Sequence, residues 1–356
     1  MAPAVAEAQV ARLAAAVPAL DAAAEAAAAE RQARLLKPSG SLGLLETLGV
    51  RLAAIAGRCP PSVPARPAVL VAAGDHGVVA QGVTPWPQEV TGAMVVAMTA
   101  GQAAVNAIAG AIGAEVRLLD AGVASPPAPH PMVRQGGRRR GTADLAAGPA
   151  MTREQAAAAV LEGAAAAEEL LAAGADLLVT GDMGIGNTTP AACLVAAFTG
   201  RGPASVTGRG TGIDDATFER KVRVVERALA LHAPDPADPV GVLAAVGGLE
   251  HAALAGLALA GAARRVPVVL DGVNAGAAAL AAAAMAPGVT GFLIAGHRSV
   301  EPGASAALEH LRLEPLLDLR MRLGEGTGAL LAVPIVRAAA AVLGGMATFE
   351  EAGLDG

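Results

Sequence analysis

Residues 177–190, with the sequence LLVTGDMGIGNTTP, carry the residue types best suited to chemistry in this chain of 356 residues. They predict a short apolar strand, a glycine-rich turn and a helix start, where Asn187 suits the N-cap and Pro190 the first turn. Glycines let the main chain approach a ligand, and free N–H groups at a helix start attract an anion. The segment therefore predicts a phosphate site with one carboxylate, Asp182, at its entrance. An ordinary turn between strand and helix is the alternative.

A second candidate lies far downstream, where Glu325 stands between glycines in the sequence GEGTG at 324–328. Glycine neighbours leave a carboxylate with little side-chain cover, so Glu325 could meet a substrate closely. A solvated turn glutamate is the alternative. Together the two segments offer an anion site and two separated carboxylates, a set that suits chemistry on a phosphorylated sugar.

The elements that must position these residues alternate between strand and helix. Each apolar segment ends in glycine or a polar residue, and a helical stretch usually follows, which is typical of a parallel sheet covered by helices on both faces. The predicted strands are residues 68–73, 115–119, 176–180, 205–207, 266–270 and 289–295. Ligands of such sheets bind beyond the carboxyl ends of the strands. We therefore expect one crevice to gather the polar residues at the strand ends, Asp75, Asp120, Asp182, Asp271 and His297.

The two ends of the chain lack the strand pattern. Residues 1–61 are rich in alanine with helical spacing, and residues 303–356 are again helical in character. The pattern predicts an α/β region at 62–302 with helical segments on either side of it. Residues 124–140 are rich in Pro, Gly and Arg, which predicts a loop.

Composition excludes several classes of protein. A net charge of −6 and an aromatic content of 1% argue against a nucleic-acid surface, and the run Arg138 to Arg140 is more typical of a solvated loop. Glycine, proline or charge interrupts each apolar run before the roughly 20 residues of a membrane span, so we expect no membrane insertion. The start of the chain has no basic segment typical of a signal peptide.

Cys59 and Cys193 have no metal-site spacing and suit idle thiols in a reducing cytoplasm. The histidines are scattered, so we expect no catalytic metal.

The order and spacing of the motifs resemble those of the nicotinate-nucleotide–dimethylbenzimidazole phosphoribosyltransferase family, which prepares the lower ligand of cobalamin. The resemblance runs nearly from end to end, and the combination is far more specific than any single motif. The segments that carry it are LKPSGSLG (36–43), GDHGV (74–78), EVT (89–91), GPAM (148–151), NTTP (187–190), VGG (246–248), LDG (270–272) and MRLGEGTG (321–328).

The resemblance implies a large domain at 62–302 with a Rossmann-like sheet and a small helical domain built from residues 1–61 and 303–356, from which the Glu325 loop reaches the active site. It also implies a homodimer and no cofactor. The substrates would be nicotinate mononucleotide and a benzimidazole-type base. Glu325 would take the proton from the attacking base, and Asp182 would support positive charge at the ribose. The phosphate and ribose would be bound by Gly184, Ile185, Gly186, Asn187, Gly210, Lys221 and Asp271.

Some of these assignments have plain alternatives. Lys221 could be a surface lysine of a helix, and Asp271 could fix a neighbouring turn instead of contacting substrate. Asp75 and His76 are expected near the base, but they could instead be an internal hydrogen-bonded pair that shapes their loop.

The base pocket departs from the family pattern. Better-known members carry glutamate at the position of Asp182. Some members carry a small hydroxyl residue at the position of Trp86, and glutamine can occur at that of Met94. Apolar groups at the last two positions put the accepted base in question. Trp86 could stack on an aromatic base, or it could belong to a core or an interface.

Other functions are compatible with the same strand–loop–helix pattern. An NAD-dependent dehydrogenase would use it, but the glycines at 181, 184 and 186 do not form the dinucleotide fingerprint and lie mid-chain. A non-catalytic nucleotide- or base-binding relative is the other alternative, which the intact Glu325 and the intact phosphate loop disfavour.

Overall fold

The computed structural model describes residues 3–137 and 140–354. Arg138 and Arg139 of the predicted solvated run lie outside the described residues. The strands are β1 (Pro67–Gly74), β2 (Glu115–Gly122), β3 (Val133–Gln135), β4 (Leu177–Met183), β5 (Val268–Leu270) and β6 (Leu293–Ala295). The helices are α1 (Pro3–Ala15), α2 (Ala22–Arg34), α3 (Leu44–Ala56), α4 (Glu89–Thr99), α5 (Ala104–Ile112), α6 (Arg153–Ala172), α7 (Thr188–Thr199), α8 (Pro203–Val206), α9 (Asp215–His232), α10 (Pro239–Val246), α11 (Leu249–Ala263), α12 (Val273–Met285), α13 (Pro302–Leu311) and α14 (Thr327–Gly345).

All strands of the sheet are parallel, in the order β3-β2-β1-β4-β5-β6. This is the doubly wound order, in which the chain runs outward in opposite directions from the neighbours β1 and β4. A crevice opens where the connections of these two strands diverge. The predicted α/β fold is therefore confirmed, and its topology indicates a ligand site beyond the carboxyl ends of β1 and β4.

The sheet is covered on both faces, and the alternation of β1 divides the core accordingly. Ala68, Leu70 and Ala72 face a cluster formed with α6, α7, α11 and α12. The alternate residues of β1 face a second cluster formed with α3, α4, α5 and α14. Parallel strands buried on both faces need continuous apolar sequence, which explains the uninterrupted apolar character of β1.

Small residues let α6 and α11 pack closely, which explains much of the alanine and glycine content. A Cβ at Gly163 would lie 1.8 Å from the carbonyl oxygen of Ala253, and one at Gly256 would lie 1.8 Å from that of Val160. Any larger residue at either glycine would force the two helices apart.

The structure corrects some predicted elements. Residues 205–207 are not a strand, because Pro203 occupies the first turn of the short helix α8 and fixes a helical φ there. The predicted strand at 289–295 is reduced to β6, since Pro287–Phe292 forms a 3₁₀ helix. The predicted loop at 124–140 contains β3, which pairs with β2 over three residues.

The predicted division into two domains stays a prediction. The N-terminal half of α14 packs on the sheet, while Leu343 near its end packs with Ala28 of α2 and Ala53 of α3. One helix from the predicted small domain therefore shares a core with the sheet.

Two stretches, Glu89–Ile112 and Thr327–Gly345, are long and apolar enough to cross a membrane by length and composition. The first is interrupted after α4, where Gly101 adopts a φ of +74° and the chain turns into α5. The second is α14, whose apolar character is explained by its packing on the sheet.

Candidate active site

A pocket of about 440 Å³ opens beyond the carboxyl ends of β1 and β4. Its volume lies within the range of roughly 300–1,000 Å³ usual for small-molecule sites. Predicted residues that line it include Asp182, Glu325, Lys221, Trp86 and Met94. The structure thus brings together residues from predicted segments that are widely separated in sequence.

Asp182 stands at the end of β4 and is almost fully buried. Its Oδ2 accepts hydrogen bonds from Asn187 Nδ2 at 2.9 Å and Asn274 Nδ2 at 2.7 Å, while its Oδ1 has no partner among the described residues. Burial, followed by the charge of Asp271, raises the pKa of Asp182 to about 7. An unpartnered buried oxygen requires a proton or a donor from a ligand.

Glu325 lies at the tip of a strained loop that ends at α14. Three consecutive residues have positive φ: Gly324 at +89°, Glu325 at +61° and Gly326 at +82°. Glycine is required at position 326, because a Cβ there would lie 2.8 Å from Val69 Cγ2. Glu325 Oε2 accepts a hydrogen bond from the main-chain N–H of Val105 at 3.1 Å. Burial raises the pKa of Glu325 above its usual range, against this hydrogen bond.

The two carboxylates are joined through the main chain. The N–H of Glu325 donates to the carbonyl oxygen of Asp182 at 3.1 Å. Because the backbones of the two acids are hydrogen-bonded, the position of one acid fixes that of the other.

Asp271 does not line the pocket; it fixes the Glu325 loop. Its Oδ1 accepts from the N–H groups of Gly328 and Ala329 at 2.9 and 3.0 Å, and its Oδ2 accepts from Gly326 at 3.3 Å. A carboxylate at a helix start is stabilised by the helix dipole. These contacts support the alternative for Asp271, a residue that holds a turn, and its substrate contact stays a prediction.

The predicted phosphate loop is formed, but some of its donors are already used. Ile185 N–H donates to Thr91 Oγ1 at 3.1 Å, and Asn187 N–H donates to the carbonyl oxygen of Gly184 at 3.2 Å. Within the described part of the chain, the N–H groups of Gly186 and Thr188 have no protein partner. The available donors are therefore those of Gly186 and Thr188 at the start of α7.

Close approach of the main chain explains two glycines of this loop. A Cβ at Gly184 would lie 2.2 Å from the carbonyl oxygen of Gly74, and Gly186 has a φ of +86°.

Lys221 of α9 is buried, with its ammonium group at the same end of the pocket. Nζ donates to Thr188 Oγ1 at 2.7 Å and to the carbonyl oxygen of Gly208 at 2.9 Å. Burial lowers the pKa of Lys221 to about 8, against the charge of Glu301. The surface position that was the alternative for Lys221 is excluded.

The second glycine turn is tied to the same cluster. Gly210 lines the pocket as expected, but its N–H donates to Glu301 Oε1 at 2.9 Å. Its carbonyl oxygen accepts from Arg322 Nη1 at 2.9 Å. Arg209 and Arg322 also line the pocket, which adds positive charge at this end.

The opposite wall is apolar. Trp86 and Met94 line it together with Val90 and Leu323. Trp86 is 50% exposed, which excludes the core-packing alternative and leaves a pocket or an interface role.

Asp75 and His76 lie behind the pocket wall and do not line the pocket. Asp75 accepts from Thr91 Oγ1 at 2.6 Å and from Ala124 N–H at 2.8 Å, and burial raises its pKa. His76 Nε2 lies 2.9 Å from Glu250 Oε1. Both side chains make internal contacts, which supports the alternative of a pair that shapes its loop, and their place in the base pocket stays a prediction. Asp120, likewise, accepts internally from Val123 N–H at 2.8 Å.

Comparisons with known proteins identify the family of this chain. The family model described as "Phosphoribosyltransferase" matches residues 17–354. Nicotinate-nucleotide–dimethylbenzimidazole phosphoribosyltransferase of Salinispora tropica is 60% identical over 357 residues, covering 96% of this chain and 98% of the relative. The enzyme of the same name from Chloroflexus aggregans is 54% identical, covering 94% and 95%. The chain belongs to this phosphoribosyltransferase family.

The crystal structure of nicotinate-nucleotide–dimethylbenzimidazole phosphoribosyltransferase from Thermus thermophilus has the same fold. Its TM-score is 0.90 at 49% identity, with coverage of 95% of this chain and 100% of that structure. The predicted family is confirmed, and the chain is an enzyme that transfers a phosphoribosyl group.

Sequence reasoning missed several residues that line the pocket of this phosphoribosyltransferase. Asn274 follows the β5 end by four residues, and its place could have been inferred from the strand-end rule. Glu301 and Arg322 could not, because they reach the pocket only through contacts with the distant loop at 208–210. The described residues contain no cluster of His, Cys, Asp and Glu that could hold a metal ion.

Proposed function

We propose that this phosphoribosyltransferase moves the 5-phosphoribosyl group of nicotinate mononucleotide to 5,6-dimethylbenzimidazole or a related base. The observation that carries the proposal is that one pocket is lined by two carboxylates, by cationic side chains and by apolar side chains. The products are nicotinate and the α-riboside 5′-phosphate of the base, which serves the nucleotide loop of cobalamin.

The reaction exchanges one bond to the ribose for another. The C1′–N bond of the pyridinium breaks, and its electron pair leaves with nicotinate. A benzimidazole nitrogen forms the new C1′–N bond from the opposite face, which converts the β-nucleotide into an α-riboside. The proton on the other ring nitrogen becomes acidic as the bond forms and passes to the Glu325 carboxylate.

Glu325 suits the role of the proton acceptor because of its surroundings. Burial raises its pKa, and Val105 N–H holds only one of its oxygens. A base whose pKa lies closer to the working pH accepts a proton more effectively in the transition state. The fixed loop would also hold the attacking benzimidazole in the orientation needed for attack.

Asp182 is proposed to act at the sugar. Its carboxylate would stabilise the positive charge that develops at C1′, and its unpartnered Oδ1 would accept a ribose hydroxyl. Asn187 and Asn274 fix its orientation through Oδ2. Aspartate is shorter than glutamate by one methylene, so we expect the ribose to lie closer to the β4 end.

The phosphate is proposed to bind at the start of α7. The N–H groups of Gly186 and Thr188 would donate to it, and the buried ammonium group of Lys221 would supply charge. Arg209 and Arg322 at the rim add long-range attraction for the dianion.

The base is proposed to bind against Trp86 and Met94. An apolar wall discriminates weakly among bases, by about 1–3 kcal/mol for one methylene group, whereas a buried polar partner would discriminate more strongly. We therefore expect a broad base range.

We propose that the enzyme is a cytoplasmic homodimer. Large apolar side chains are exposed in the pocket lining, where Trp86 and Leu323 are 50% and 59% exposed, and on α4, where Val96 is 50% exposed. A second copy of the chain would cover them. Sedimentation equilibrium tests this, and a monomer at micromolar concentration would contradict it.

The experiment that tests the function is a product assay. The purified protein is mixed with nicotinate mononucleotide and dimethylbenzimidazole, and nicotinate and the riboside phosphate are separated by chromatography. We expect both products in equal amounts and only when both substrates are present. Nicotinate without riboside phosphate would indicate a hydrolase, and binding without products would indicate a non-catalytic relative. An absorbance change of NADH with a carbonyl substrate would favour a dehydrogenase.

A further inference from the structure

A row of buried polar side chains runs behind the pocket and ends at Asp182. Glu250 Oε1 lies 2.9 Å from His76 Nε2 and 2.8 Å from His251 Nδ1. His251 Nε2 lies 3.1 Å from Asn274 Oδ1, and Asn274 Nδ2 donates to Asp182 Oδ2 at 2.7 Å. Asn274 and Asp182 line the pocket, whereas the other residues of the row do not.

Two glycines make the space that the buried charges need. A Cβ at Gly248 would lie 2.5 Å from His76 Cε1 and 2.6 Å from each carboxylate oxygen of Glu250. A Cβ at Gly74 would lie 2.9 Å from Glu250 Oε2. Glu250 lies in the first turn of α11, where the helix dipole favours a carboxylate. The backbone is therefore shaped around this charged group, which has no role in forming the pocket wall.

The hydrogen-bond roles define the charge of His251. Since Asn274 gives its Nδ2 group to Asp182, its oxygen faces His251, whose Nε2 must then carry a proton. Nδ1 lies 2.8 Å from the Glu250 carboxylate, whose charge favours a second proton on the ring.

The electrostatics of the pair agree with this assignment. Burial opposes the charge on His251, but Glu250 outweighs it and the pKa of His251 is raised. Burial would likewise raise the pKa of Glu250, but the two histidines outweigh it and the pKa is lowered.

We propose that His251, acting through the amide of Asn274, is a positioning residue that orients Asp182 and favours its carboxylate form. The inference deepens the proposed role of Asp182 at the ribose and rests on it. His251 does not touch the pocket, so it would act on the reaction only through its neighbours.

The groups around Asp182 show why such a residue is needed. Asp271 faces it from the end of β5 and Glu250 from α11, and both raise its pKa. Glu325 lies against it from the loop before α14, joined by the main-chain hydrogen bond. Asp271, Glu250 and the burial favour the neutral form of Asp182. The charge of His251 and the N–H of Asn274 oppose them.

The test reads the ionisation of Asp182 directly. Protein labelled with ¹³C at the aspartate carboxyl carbon is titrated by NMR, and Asp182→Asn identifies the resonance. In the wild type the midpoint should be about 7. In His251→Gln and in Asn274→Ala it should rise by about 1 pH unit or more, because each loses an interaction that favours the charged form. The exposed histidine of α13 provides the matched control, His310→Gln, which should leave the midpoint unchanged.

The pH profile of phosphoribosyl transfer gives a second reading. A rise of about 1 unit from a midpoint near neutrality lowers the ionised fraction at neutral pH from about one half to about one tenth. The midpoint of the acid limb of the kcat/KM profile should move to higher pH. At neutral pH kcat/KM should fall about fivefold, and it should recover in alkaline buffer. A merely structural defect would lower the rate at every pH.

Unchanged Asp182 midpoints in the folded variants would overturn the proposal, and thermal melts establish that each variant is folded. His251→Gln and Asn274→Ala disrupt the row at different points, so either one alone is decisive. A shifted midpoint with an unshifted acid limb would support the proposed effect on ionisation and overturn the role of Asp182 in the chemistry. The release of nicotinate by the wild-type enzyme tests the function itself, independently of these shifts.

Discussion

Replacing Asp182 with asparagine should change how the free energy of unfolding depends on pH. Burial and the charge of Asp271 raise the pKa of this carboxyl from 3.8 to about 7. Between these values the folded protein keeps a proton that the unfolded chain has released. The stabilisation from this proton is therefore fully present below the unfolded pKa and is lost as the pH rises through about 7.

The expected magnitude follows from the shift of about 3 pH units, which corresponds to about 4 kcal/mol at about 1.36 kcal/mol per unit. Urea unfolding followed by far-ultraviolet circular dichroism, in buffers from about pH 4 to about pH 8, measures it. Relative to Asp182→Asn, the wild type should lose roughly this amount of stability across the range, since asparagine does not titrate. Asp235→Asn, at an exposed position, is the control and should follow the wild type.

A constant difference between the wild type and Asp182→Asn at every pH would refute the reasoning. It would mean that the Asp182 carboxyl is ionised throughout the range. The neighbouring groups would then cancel the effect of burial on its pKa. The proposed effect of His251 would then lack the balance of opposing charges on which it depends.

Three further substitutions test the site. Glu325→Gln should keep its affinity for nicotinate mononucleotide, measured by calorimetry, but its kcat should fall roughly 10²- to 10⁴-fold, because the amide cannot accept the proton. Glu314→Gln, at an exposed position, is the control. Near-normal turnover of Glu325→Gln would exclude Glu325 as the general base. Lys221→Gln should weaken nucleotide binding roughly 10- to 150-fold, the value of a charge-assisted hydrogen bond of about 1.5–3 kcal/mol, with little effect on binding of the free base. Exposed Arg223→Gln on the same helix controls for net charge, and equal losses for both ligands would contradict a phosphate role for Lys221. Trp86→Ser should alter the ranking of benzimidazoles in paired competition assays while leaving nucleotide affinity unchanged, and an unchanged ranking would place Trp86 outside the base pocket. In the wild type, unsubstituted and methylated benzimidazoles should differ by no more than roughly 200-fold in specificity constant.

The sheet and the convergence of its strand ends were predictable because both depend on local patterns. Apolar runs that end in glycine or a polar residue identify parallel strands, and parallel strands bring their carboxyl ends to one edge. That rule places Asp182 at the pocket directly. It fails for short segments such as 205–207, where one proline at a helix start outweighs a β-branched pair.

The division of roles among the strand-end acids was not predictable, because it depends on contacts between distant residues. Asp271 meets the N–H groups of Gly328 and Ala329, 57 and 58 positions away. His76 meets Glu250, about half the chain length away. From sequence alone each acid looks equally able to meet a ligand, and only the packed fold shows which ones are consumed internally.

The Glu325 loop shows how these internal acids serve the site. A residue other than glycine with positive φ costs roughly 1–2 kcal/mol, and such strain persists only where the surroundings enforce it. The main-chain carbonyl oxygen of Asp182 accepts the N–H of Glu325. The charged group of the loop is the carboxylate of Asp271, which accepts the N–H groups of Gly326, Gly328 and Ala329. Hydrogen bonds to a charged group contribute about 1.5–3 kcal/mol each, enough to offset the strain. The acid that does not touch the pocket therefore determines where the proposed base stands, and loss of Asp271 should release Glu325 from its register with Asp182.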